Sequence, residues 1–357
     1  MTTSPLLRMT QDSPTCLWND SADLRELAES ISWGAVGATC NPVIALAAIK
    51  ADAQTWVGRI REYAAQHPTA TEDEIGWAMV KMLSVEAAEL LKPAFDKYNG
   101  VNGRLSIQTD PRFYRDTESL IEQATQFAAL APNMIVKIPV TTAGVEAFEE
   151  VTYRGVSVNA TVSFTLPQAI AVAEAVERGL RRREAEGLDV STMGPVCTIM
   201  VGRTDDWMRA SAERDQITVD PGITEWAGVA VFKKTYRLYQ ERGYRTRLLS
   251  AAFRNHMHWS QMIGGNVVIS PPFGWQKRFN ASGIEPTHRL DDPVDPRIVE
   301  DLYDNFPEFR MAYDEDGLAP ADFTGYGATV RTLRQFLAAN NELEEFVRNV
   351  TLPNPDK

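Results

Sequence analysis

The chain is short of cysteine: three in 357 residues, Cys16, Cys40 and Cys197, widely separated. An odd, scattered set excludes a disulfide scaffold and fits free thiols in a reducing compartment. It is also short of base, with 36 Lys and Arg against 48 Asp and Glu and a net charge of -12. Such a balance argues against a nucleic-acid partner, because phosphate backbones want a basic surface. An anionic substrate would need arginines placed locally. No apolar run approaches the length of a membrane span, and the first residues lack the charged-then-apolar pattern of a signal peptide. A cytoplasmic protein without a membrane partner is therefore expected. There is no GxGxxG after the first strand and no GxxxxGK[ST], so dinucleotide and P-loop domains are disfavoured. Zinc spacing is absent. His256 and His258 alternate rather than lying at helical ligand spacing, and they read as structural or surface residues, with no metal expected.

What is present is ordinary for a globular chain with a sizeable core: 44% hydrophobic and 24% charged residues. One short stretch stands out, NMIVKIPVTTAG from Asn133 to Gly144. Its β-branched, apolar run bounded by Pro-Asn and Thr-Thr-Ala-Gly reads as a buried strand. A lysine, Lys137, sits at its centre. Burying an unpaired ammonium is costly and lowers its pKa, and a neutral amine is a nucleophile of the Schiff-base kind. The plainer alternative is a lysine that snorkels or pairs with a carboxylate.

Strands and helices alternate along the chain. Strands are predicted at 15–20, 35–40, 104–110, 134–140, 156–164, 195–201, 247–252 and 266–270. Helices are predicted at 21–32, from Asn41-Pro42 into a second helix at 71–98 with a Thr71/Glu74 capping box, and at 116–130, 142–153 and 166–186. Further helices follow at 205–213, 224–242 and 255–263. The basic run Arg181-Arg182-Arg183 reads as a solvated helix face. Eight apolar strands without clean alternation, separated by helices, predict an α/β fold: a (β/α)8 TIM-type barrel with additional helices. The expected organisation is a tail at 1–14, the barrel at 15–275, and a C-terminal helical extension at 276–357 packed on the barrel.

Active sites of such barrels lie at the C-terminal ends of the strands. Polar residues accumulate there: Asp20, Thr39 and Asn41, then Ser106, Gln108 and Asp110, then Lys137, Asn159, Thr161, Thr198, Arg203 and Arg254. Asn159 and Thr161 share one face of their strand. Each has a bland alternative. Asp20 could cap the next helix, Asn41 could be only a helix entry, Asn159 and Thr161 could satisfy backbone groups, and the arginines could be surface ion pairs. Arg203 and Arg254 together suit a phosphate clamp, because guanidinium forks match phosphate oxygens.

Seven segments, LWNDSADL, GATCNPVI, LSIQTDPR, NMIVKIPVT, VSVNATVSFTLPQA, CTIMVGRTDDW and LLSAAFRN, occur in the order found in the transaldolase family of Schiff-base aldolases, and the chain resembles that family over roughly residues 15 to 275. The resemblance implies a barrel enzyme of pentose phosphate metabolism that forms a Schiff base between Lys137 and a ketose phosphate. It implies that Asp20 handles the sugar hydroxyl proton, that Asn41 and Asn159 hold substrate hydroxyls and the dihydroxyacetone unit, and that Thr161 positions a water. Arg203 and Arg254 would bind the phosphate, and Ser106 stands where the family also has a serine. Sugar phosphates are the implied partners, no cofactor is needed, and a homo-oligomer remains open.

The chain departs from the family at three positions. Gln108 stands where a glutamate is usual, Thr198 replaces a substrate-contacting serine, and Met200 replaces an aromatic residue. Glutamine orients a water but exchanges no proton near neutral pH. The fructose-6-phosphate aldolases also carry glutamine there. Transfer to an aldose phosphate is therefore expected, with two alternatives: an aldolase that releases dihydroxyacetone to water, and a barrel that binds sugar phosphates without turnover.

Overall fold

The structure, a computed structural model, describes residues 4–356. In chain order it contains α1 (Pro5–Asp12), β1 (Cys16–Asn19), α2 (Leu24–Ser32), β2 (Ala35–Cys40), α3 (Pro42–Ala51), α4 (Ala53–Gln66), α5 (Glu72–Lys97), β3 (Arg104–Gln108), α6 (Thr117–Ala128), β4 (Met134–Pro139), α7 (Thr142–Tyr153), β5 (Val158–Ser163), α8 (Leu166–Ala185) and β6 (Val196–Ile199). There follow α9 (Val201–Asp215), α10 (Ala227–Arg242), β7 (Arg247–Ala251), α11 (Met257–Ser260), β8 (Val268–Ser270), α12 (Phe273–Ala281), α13 (Pro296–Asn305), α14 (Pro307–Tyr313) and α15 (Gly327–Thr351). The eight strands run parallel and close into a barrel in sequence order, β8 pairing with β1. The expected (β/α)8 barrel with additional helices is the fold observed. Among the described residues no helix is long and apolar enough to cross a membrane.

Local chemistry explains most boundaries. Thr71 and Glu74 form the expected capping box at the start of α5. Asn41 caps α3, with Pro42 at its first position, and Thr141 caps α7. The connection between β2 and β3 differs from expectation: it holds three helices, because α4 inserts Trp56 and Ile60, one turn apart, into the core. The expected tail at 1–14 is likewise corrected. Residues 1–3 lie outside the described region, but Ser4 caps α1 and Leu6 and Met9 are fully buried. This helix is tied down from below, with Asn280 Oδ1 accepting from Leu6 N–H at 3.2 Å. The helix expected at 255–263 is one turn, α11. Of the Arg181–Arg183 run, Arg182 bridges to Glu149 and Glu150 on α7 and lies over Tyr153, and Arg183 donates to the Tyr153 carbonyl. The C-terminal helix α15 packs beside α3, α4 and α5 and also touches α9 and β5.

Inside the barrel, Trp18, Ile135, Val196, Leu249, Ala251 and Val268 form an apolar cluster beneath the polar residues of the mouth. Gly37 on β2 makes room for it: a Cβ there would lie 2.4 Å from the Trp18 indole. Overpacking of this kind costs about 1–3 kcal/mol. Gly37→Ala is expected to lower the unfolding free energy by about that amount, read as a lower denaturant midpoint. An unchanged midpoint would mean that Trp18 is not fixed by the β2 backbone.

Candidate active site

Lys137 lies on β4 and is only 3% exposed. Strand register puts Gln108 on β3 beside it on one side and Asn159 on β5 beside it on the other. Burial pushes the Lys137 pKa below its ordinary value of 10.5; the charge of Asp20 opposes that shift, and Arg203 adds to it. The residues whose charges reach the amine thus come from just after β1 and from the start of α9. Cys40 is also nearby, but burial drives its thiol up to about 11, so it stays protonated and uncharged at neutral pH. Cys197 is pushed up to about 12 by the same cause.

Asp20 follows β1 and does not cap α2. That task belongs to Asp23, whose carboxylate accepts from Arg25 and Glu26 N–H. Asp20 Oδ1 instead accepts a 2.5 Å hydrogen bond from Thr39 Oγ1 on β2. Asn41 is part of the helix entry, its Oδ1 accepting from Ile44 N–H at 3.0 Å. A buried relay crosses the barrel: Thr198 Oγ1 donates to Asn159 Oδ1 at 2.8 Å, and Asn159 Nδ2 donates to Ser106 Oγ at 3.0 Å.

Gln108 Oε1 and Thr161 Oγ1, on the strands flanking β4, are buried without a protein partner. Buried polar atoms are nearly always satisfied, so both atoms have hydrogen-bonding capacity still to offer. After Thr161, β5 breaks register between Ala160 and Ser163, with Val162 at φ 54. A β-branched residue in that region stores about 1–3 kcal/mol of strain, the kind found where a strand re-aims a functional side chain.

Arg203 and Arg254 line one small cavity together with Asp206, Ala328, Arg331, Thr332 and Gln335. Burial, and then the charge of Arg254, lower the Arg203 pKa to about 10, which leaves it a cation at neutral pH. Its Nη1 donates to Thr332 Oγ1 at 3.1 Å and Gln335 Oε1 at 2.5 Å, both on α15. Arg254 pairs with Asp206, with Nε at 2.9 Å and Nη2 at 2.7 Å from Oδ2. The amine is buried on β4, the guanidinium groups of Arg203 and Arg254 share a small cavity, and the charge of Arg203 reaches the amine.

Sequence reasoning does not single out Asp206, Arg331, Thr332 or Gln335. Thr39 was readable, since alternation puts it on the same face as Gly37 and Asn41. The α15 residues carry no local signal, because Thr332 lies 129 residues from Arg203 in the chain. His256 and His258 point to different partners, Ser260 and Asp205.

The lowered pKa of Lys137 has a stability consequence. The folded state holds this proton less tightly than the unfolded chain, so the lysine costs stability below its lowered pKa. The cost fades as pH rises toward 10.5, the ordinary value. Lys137→Met is expected to raise the denaturant midpoint at pH 7, with the gain shrinking at high pH. A destabilised Lys137→Met at pH 7 would contradict this electrostatic description.

The family described as Transaldolase/Fructose-6-phosphate aldolase matches residues 17–315. The match runs past residue 275, where the motifs readable by eye end, and takes in α12, α13 and α14. Curated relatives include Transaldolase 1 of Streptomyces avermitilis, 33% identical over 250 residues, which are 66% of this chain and 64% of that protein. A transaldolase of Parafrankia sp. is 30% identical over 308 residues, 85% of this chain and 77% of that protein. A transaldolase of Thermobifida fusca is 32% identical over 214 residues, 57% of this chain and 56% of that protein. The matched stretch thus spans less than two thirds of the length of two of these three relatives. On the family match, the chain belongs to the transaldolase/fructose-6-phosphate aldolase family.

Proposed function

We propose that this protein is a transaldolase, moving a dihydroxyacetone unit from a ketose phosphate such as sedoheptulose 7-phosphate or fructose 6-phosphate to an aldose phosphate through a Schiff base on Lys137. The observation that carries the reading is the buried Lys137 amine, its pKa depressed by desolvation, in register with Gln108 and Asn159. Names of the curated relatives support the reaction class.

In the proposed reaction, neutral Lys137 attacks the ketone carbon and water leaves, giving an iminium. The iminium is an electron sink, so the C3–C4 bond breaks and its electron pair forms an enamine on Lys137. Asp20 accepts the proton of the C4 hydroxyl as the aldose leaves. Thr39, donating to Asp20, keeps that carboxylate aimed. The relay of Thr198, Asn159 and Ser106, with Asn41, holds the hydroxyls of the dihydroxyacetone unit. Arg203 and Arg254 hold the phosphate. Addition of the enamine to an incoming aldose phosphate, with the Asp20 proton returning to the new hydroxyl, forms a new iminium, and water adds to it to release the product ketose phosphate and free the Lys137 amine.

A second reading is favoured by one residue. With glutamine in place of a carboxylate, Gln108 and Thr161 can orient a water but Gln108 cannot relay its proton. Protonation and hydrolysis of the enamine would then release free dihydroxyacetone.

Incubation with fructose 6-phosphate, with and without erythrose 4-phosphate, separates the two. A transaldolase forms sedoheptulose 7-phosphate only when the acceptor is present, whereas an aldolase releases dihydroxyacetone without it. Absence of both products would overturn the enzymatic reading. General acid–base groups contribute on the order of 10²–10⁴ to rate. Gln108→Glu is therefore expected to change the ratio of transfer to release by at least about tenfold. An unchanged ratio would remove Gln108 from the proton path.

A further inference from the structure

His258 and Asp205 are both fully buried, and no part of the proposed reaction uses them. Asp205 lies on α9, two residues after Arg203, and burial raises its carboxyl pKa while the bond to His258 opposes the rise. His258 lies in the single turn α11, four residues after Arg254. Asp205 Oδ2 is 2.8 Å from His258 Nε2, and Oδ1 accepts from Gly228 N–H at 2.8 Å. The other ring nitrogen, Nδ1, is 3.0 Å from the backbone N–H of Arg254.

These contacts fix the tautomer. A backbone N–H can only donate, so Nδ1 must be the bare, accepting nitrogen and the ring proton must sit on Nε2, facing Asp205. Phe253 stacks on the ring at 5.9 Å, and Ser250 Oγ holds the His258 main chain by donating to its carbonyl at 3.0 Å. The chain just before Arg254 is strained, with Ala252 at φ 63. Gly202, next to Arg203, sits against that bend: a Cβ there would lie 2.0 Å from the Ala252 carbonyl oxygen. A strained turn persists only when its surroundings over-determine it.

We infer that Asp205 and His258 are positioning residues for the phosphate end of the site, fixing the Arg254 main chain so that its guanidinium faces the same cavity as Arg203. The inference rests on the reading of Arg203 and Arg254 as the phosphate-binding pair. Asp205 sets the tautomer, His258 transmits it, and the strained turn carries it to Arg254. An ordinary buried pair would serve the core alone; this one spends its free lone pair on a residue of the clamp.

Three variants of the full chain test the inference, with inorganic phosphate binding measured by calorimetry and borohydride trapping of dihydroxyacetone as a second readout. Asp205→Asn keeps the shape but puts an amide N–H against either the His258 ring or Gly228 N–H. If it faces the ring, the ring proton moves to Nδ1 and opposes the Arg254 N–H. His258→Gln keeps a group near Nε2 and loses the acceptor at Nδ1, whereas His258→Asn keeps an acceptor close to Nδ1. The expected result is phosphate binding about tenfold weaker in Asp205→Asn and His258→Gln, and within about threefold in His258→Asn. Trapping of dihydroxyacetone, which carries no phosphate, should stay within about twofold in all three.

Asp205→Asn and His258→Gln binding phosphate as tightly as the unsubstituted protein would overturn the inference. So would equal losses in the two His258 variants, or loss of the fold in all three, either of which would make the pair purely structural. Failure of the underlying reading looks different: the unsubstituted protein itself would neither bind phosphate nor trap dihydroxyacetone.

Discussion

An ammonium group gives up its hydration when it enters a packed barrel, and at Lys137 that loss is nearly complete. The amine stands above an apolar floor of Trp18, Ile135 and Val268, with strands β3 and β5 on either side. Asp20 supplies the negative charge that offsets part of the penalty, and Arg203 works against it. That balance constrains the neighbours. An acid in full contact with the amine would restore its proton, and no acid at all would leave the lysine too costly to bury. Asp20, whose carboxylate accepts from Thr39, is the acid whose charge reaches the amine.

The far end of the site obeys a different rule. A chain with a net charge of -12 attracts anions only where arginines are gathered, and they gather between α9, the turn after β7, and α15. Asp206 keeps Arg254 from repelling Arg203 outright, and Thr332 and Gln335 hold the guanidinium of Arg203. The C-terminal helix is therefore joined to the site by hydrogen bonds to a residue proposed to bind phosphate. In that proposal the extension helps set where the phosphate sits.

Much of the fold could be read in advance because each strand is a short apolar run with turn residues at its ends. Helix α7 falls at the expected 142–153, fixed by Thr141 at its start and Gly155 after its end. The break between α3 and α4 was not legible, since Asp52 bends the chain without glycine or proline. Helix α1 falls inside the expected tail although Ser4-Pro5 and the Leu6/Met9 pair are helix signals; eight residues are too few to stand out. In the candidate site, alternation puts Asn159 and Thr161 on one face of β5, and the barrel rule gathers Ser106, Gln108 and Lys137 at the strand ends. Whether Asp20 was a cap could not be settled until Asp23 was seen capping α2. The contacts of Arg203 with α15 and of His258 with Asp205 join distant parts of the chain, and spacing along a sequence carries no record of them.

The central claim is that Lys137, and no other lysine, is the nucleophile. Borohydride reduction in the presence of fructose 6-phosphate, followed by peptide mass mapping, tests it most directly. The account predicts a reduced three-carbon adduct on the peptide carrying Lys137 and none elsewhere. No adduct at all, or one on Lys50 or Lys277 with Lys137 unmodified, would contradict it.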